Sequence, residues 1–85
     1  MGYLFTTQVG TWVIRNSPHY HNKWELVWCT SQIQQAFGTY HTPELAAGDV
    51  YTQTTGCSTW DSLPILSIPP EIEGIPNWER QNYRQ

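Results

Sequence analysis

The segment Phe37-Gly38-Thr39-Tyr40-His41-Thr42-Pro43-Glu44-Leu45-Ala46-Ala47-Gly48-Asp49-Val50 constrains this chain more than any other. It reads as the end of a strand running straight into the start of a helix. Thr42 is a natural N-cap, and Pro43 at the first helical position loses nothing, because its missing N–H would be unpaired there anyway. Glu44 falls in the first turn, where a carboxylate meets the positive end of the helix dipole. Ala46, Ala47, Val50 and Thr54 then follow helical spacing with Tyr51 flanking them, a small and β-branched face suited to lie on a sheet. Gly56 suits a left-handed cap after Thr54 and Thr55, so the spacing predicts a helix over about residues 43–55.

The residues before this junction alternate as strands do. Tyr3 to Gln8 is a short Thr-rich run, suited to an edge strand or to lying along the sheet. In 11–16, Trp12 and Ile14 share one face while Thr11, Val13 and Arg15 share the other. Asn16-Ser17-Pro18 then breaks the strand. The strongest signal is 23–30, where Trp24, Leu26 and Trp28 alternate with Lys23, Glu25 and Val27. Ala36 to His41 is the next strand after a polar connection, and the connections are short enough for an antiparallel meander.

After Gly56, Ser58 or Thr59 can cap one further turn holding Trp60 and Leu63. Pro64, Pro69, Pro70 and Pro76 exclude long regular elements beyond it. Yet Ile65, Leu66, Ile68, Ile72, Ile75 and Trp78 are too apolar for a disordered linker. The expectation is therefore an α+β domain over 1–63: a three- or four-stranded antiparallel sheet crossed by one helix. An irregular Pro-rich C-terminal arm, 64–85, packs on the same domain and frays after about residue 80.

At 85 residues the chain is one domain, and a domain this short buries only about 60–65% of its unfolded surface. Five Trp and five Tyr answer that shortage, because each large aromatic buries roughly 150–250 Å². Charge is sparse. Arg15, Lys23, Arg80 and Arg84 face seven carboxylates, for a formal net charge of −3. Nucleic-acid binding draws much of its affinity from cations on phosphates, and this balance disfavours it. No stretch approaches the roughly 20 apolar residues of a membrane span, and no signal-peptide pattern opens the chain, so a cytoplasmic location is expected. Cys29 and Cys57 are expected to be reduced.

Gly38-Thr39-Tyr40, Thr42, Glu44 and Ala46-Ala47, with Lys23-Trp24 on a preceding strand, resemble the plant ethylene-response-factor (Apetala-type) DNA-binding domain. In that domain a Gly-Thr-aromatic strand end precedes a helix carrying Glu-x-Ala-Ala. The strand–strand–strand–helix layout is also similar to small bacterial YegP-like domains. Over residues 11–55 the resemblance implies a sheet-plus-helix fold. It implies DNA contacts at Lys23, Trp24 and Arg15, although the strands here lack the family's Arg-rich pattern.

Other chemistry is thinly supported. His19, His21, Cys29, His41 and Cys57 are ligand types for zinc, but no C-x₂-C or H-x₃-H spacing joins them. A cysteine with His41 can be drawn as nucleophile and base, and Asp49 with Asp61 as a carboxylate pair; a capping or polar-face role is the ordinary one for each Asp. No cofactor, metal or catalytic site is expected. Core packing is the ordinary role of Trp12, Trp24, Trp28, Tyr40 and Trp60, yet an exposed Trp is also a common interface anchor. The function expected is a small non-enzymatic interaction module. It would bind a protein partner, or a second copy as a homodimer, through the sheet face or the arm. Arg15, Lys23, Trp24, Glu25 and Trp28 are the candidate binding residues, and nucleic-acid binding through the sheet is the alternative.

Overall fold

The computed structural model describes residues 1–81. Five strands form one antiparallel sheet: β1 (Gly2–Thr6), β2 (Thr11–Asn16), β3 (Trp24–Cys29), β4 (Gln34–Tyr40) and β5 (Glu79–Gln81), in the order β4-β3-β2-β1-β5. Two helices follow β4, α1 (Pro43–Tyr51) and the single turn α2 (Ser58–Asp61). Three 3₁₀ turns then carry the arm: Ile65–Ser67, Pro70–Glu73 and Ile75–Asn77. The class is α+β, as the alternation and the strand-to-helix junction require.

The hairpins close with the same device. A hydroxyl at the strand exit accepts the amides that the turn leaves unpaired: Thr7 from Val9 and Gly10, Ser17 from His19 and Tyr20, Thr30 from Gln32 and Ile33. Close packing requires glycine at position 10. A Cβ there would sit 2.4 Å from the Trp28 ring, far inside van der Waals contact.

α1 begins where the junction predicts. Thr42 Oγ1 accepts from the Leu45 amide at 3.2 Å, with Pro43 next in line. Pro43, Ala46, Ala47 and Val50 are buried, so the helix lies close against the aromatic face of β2, β3 and β4. It stops at Tyr51, about one turn earlier than expected. Gln53 turns left-handed (φ 57°), and its side-chain amide donates to the carbonyls of Trp60 and Leu63 at 3.0 and 2.8 Å. The left-handed reversal is therefore made by a side chain anchored across the gap, ahead of Gly56. Asp61 completes the bend by accepting from the Thr55 amide, the Thr55 hydroxyl and the Gly56 amide.

One face of the sheet carries the core. Trp12, Trp28 and Trp60 form a triangle with ring centroids 4.6, 5.8 and 5.9 Å apart, and Trp12 with Trp60 is nearly perpendicular at 86°. Ile14, Leu26, Ala46, Ala47 and Val50 fill the space around them, while Trp24, Phe37 and Tyr40 pack at the margin. The Trp60 indole N–H reaches the Val50 carbonyl at 2.8 Å, and Trp78 does the same to Ile72. Among the buried side-chain nitrogens and oxygens of the described residues, only the Trp12 indole N–H lacks a hydrogen bond, a cost of about 1–3 kcal/mol that the surrounding rings must offset.

The arm is part of this core rather than a cover laid on it. Ile68, Ile72, Ile75 and Trp78 are buried, with Ile72 beneath α1. The fraying expected after about residue 80 falls largely outside the described residues; Arg80 and Gln81 belong to β5, which pairs Gly2 with Gln81, Tyr3 with Arg80 and Leu4 with Glu79. That pairing makes β1 an internal strand. Residues 82–85 lie outside the described residues.

Candidate functional site

The sheet-face residues singled out by sequence separate into different environments. Arg15 and Glu25 pair across β2 and β3, on the face away from α1, with Nη2 and Nε 2.9 and 3.0 Å from the same carboxylate oxygen. Glu25 is buried by this contact. Lys23 sits just before β3 and places its ammonium 3.3 Å from His41 Nε2. Trp24 is half-buried and tilts against Tyr3, with centroids 5.9 Å apart. Trp28 is 1% exposed, stacked into the tryptophan triangle beside Trp12 and Trp60, so its ring has no surface to offer a ligand. The alternation of Trp24, Leu26 and Trp28 that made this strand legible is what sends Trp28 inward. These five residues do not converge on one site.

The remaining titratable groups are also dispersed. Cys29 faces away from the core and Cys57 lies within it, both unbonded. Burial raises the Cys29 thiol pKa above its ordinary value, opposed more weakly by the charge of Arg15. Among the described residues no group of three or more His, Cys, Asp or Glu side chains could hold a metal ion. Asp49 and Asp61 serve separate structural roles: Asp49 Oδ2 accepts from the Tyr40 hydroxyl at 2.8 Å, and Asp61 holds the bend after α1. No helix among those described is long and apolar enough to cross a membrane.

The surface that stands out lies on the arm. Pro64 ends α2's continuation in an extended conformation, and the chain then makes the 3₁₀ turn Ile65–Ser67, closed by Ser67 N–H to Pro64 C=O at 2.8 Å. Leu63 and Ile68, on either side, turn inward onto the core. Between them Ile65 and Leu66 point outward, 78% and 96% exposed. The result is an aliphatic ridge fixed at both ends.

A cleft lies on each side of Leu66. One, of about 600 Å³, runs between the arm and the β1–β2 turn, with Val9, Trp60, Leu63 and Pro69 in its walls. The other, of about 510 Å³, runs between the arm and the end of α1, bounded by Tyr51, Gln53, Ile68 and Pro70. No residue lining either cleft is charged. Val9 and Tyr51 add exposed apolar surface at the two outer rims. Sequence reasoning located this arm but did not single out its two exposed residues. Nothing in Pro64-Ile65-Leu66-Ser67-Ile68 distinguishes Ile65 from Ile68, which is 6% exposed.

No family model, curated protein or solved structure matches this chain. The surface must therefore be read from its own chemistry.

Proposed function

We propose that this chain is a small non-enzymatic protein-interaction module whose binding surface is the Ile65–Leu66 ridge with its two flanking clefts. The observation that carries the reading is the outward display of two adjacent aliphatic side chains on a turn whose neighbours are anchored in the core. Fully burying a Leu or Ile gains about 1.5–3 kcal/mol each, so covering both supplies a useful share of a binding free energy. The turn is already ordered by backbone hydrogen bonds, which lowers the entropy lost on docking. What favours binding over chemistry is the lining: neither cleft offers a carboxylate, imidazole, thiol or ammonium group to a substrate. The sheet is the weaker candidate for nucleic acid, because Arg15 is already paired with Glu25.

The test is site-specific photocrosslinking of the full chain in the cells that express it. A crosslinking residue replacing Leu66 is expected to give protein adducts, whereas one replacing Gln34, exposed on β4 facing away from α1, is expected to give none. No adduct at position 66, or equal adducts at both positions, would overturn the reading.

A further inference from the structure

No further inference is drawn: the strongest candidate, the uncharged cleft of about 510 Å³ between the arm and the end of α1, belongs to the surface already described, and nothing in the structure shows what covers it.

Discussion

Tyr40 shows how one side chain can tie the sheet to the helix and write its own pH dependence. Its ring packs at the margin of the core, and its hydroxyl donates to Asp49 on α1. Burial raises the phenol pKa well above its ordinary value near 10, and the hydrogen bond and charge of Asp49 push the same way. The folded state thus holds the phenolic proton more tightly than the unfolded state does. The resulting stability is fully present below about pH 10 and is lost as pH rises from there toward the raised folded value. Tyr40→Phe should cost about 1 kcal/mol near neutral pH, the net worth of such a hydrogen bond. In urea unfolding series from pH 8 to 12, the gap between parent and variant should close as pH climbs. A gap that stays constant would remove Tyr40 from the alkaline limb. The pairing was not legible in the sequence, because Tyr40 and Asp49 meet only after the chain reverses at Thr42.

At the scale of elements, strands and helix differ in how openly their ends are written. The β2 and β3 limits were legible to within a residue, because Trp12 and Ile14, then Trp24, Leu26 and Trp28, mark the pleat and Asn16-Ser17-Pro18 breaks it. The end of α1 was misjudged because Thr54 continued the helical spacing while Gln53 reversed the backbone. A non-glycine residue at φ 57° is held there by its side-chain bonds to Trp60 and Leu63. Gln53→Gly relieves the backbone conformation but deletes two hydrogen bonds that hold α2 against α1. Net destabilisation of about 1–2 kcal/mol is expected in thermal or chemical unfolding, where glycine at a left-handed position would ordinarily help. A variant as stable as the parent would mean that the side chain only follows the bend. β5 had no signal at all. Glu79-Arg80-Gln81 is polar and three residues long, and it becomes a strand only because Trp78 is anchored beside Phe5, with ring centroids 5.6 Å apart.

For the whole molecule, the consequence is that the arm completes the fold. Ile72, Ile75 and Trp78 lie in the same core as Trp12, and β5 covers the edge of β1. A chain ending at residue 63 would expose that core surface and leave β1 as an unprotected edge. Loss of a buried Trp alone costs about 3–5 kcal/mol, comparable with the total stability expected of a domain this small. Residues 1–63 by themselves should therefore show no cooperative thermal transition, whereas a chain of residues 1–81 should melt as one unit by circular dichroism. A sharp transition in the shorter chain would show the sheet and α1 to be self-sufficient.

The sequence by itself determined the class, the strand faces, the start of α1 and the need for a Trp-rich core, since these follow from local periodicity, caps and the surface-to-volume deficit of a short chain. Tertiary structure alone decided which apolar side chains of the arm reach solvent. Ile65, Leu66 and Ile68 are equivalent as letters, and an irregular Pro-bounded backbone has no period from which to tell inside from outside. Only the anchoring of Leu63 and Ile68 on the core, together with the clefts left beside α1 and the β1–β2 turn, turns Ile65 and Leu66 outward. The same packing drew Trp28 into the interior, where its strand's regular alternation had always pointed.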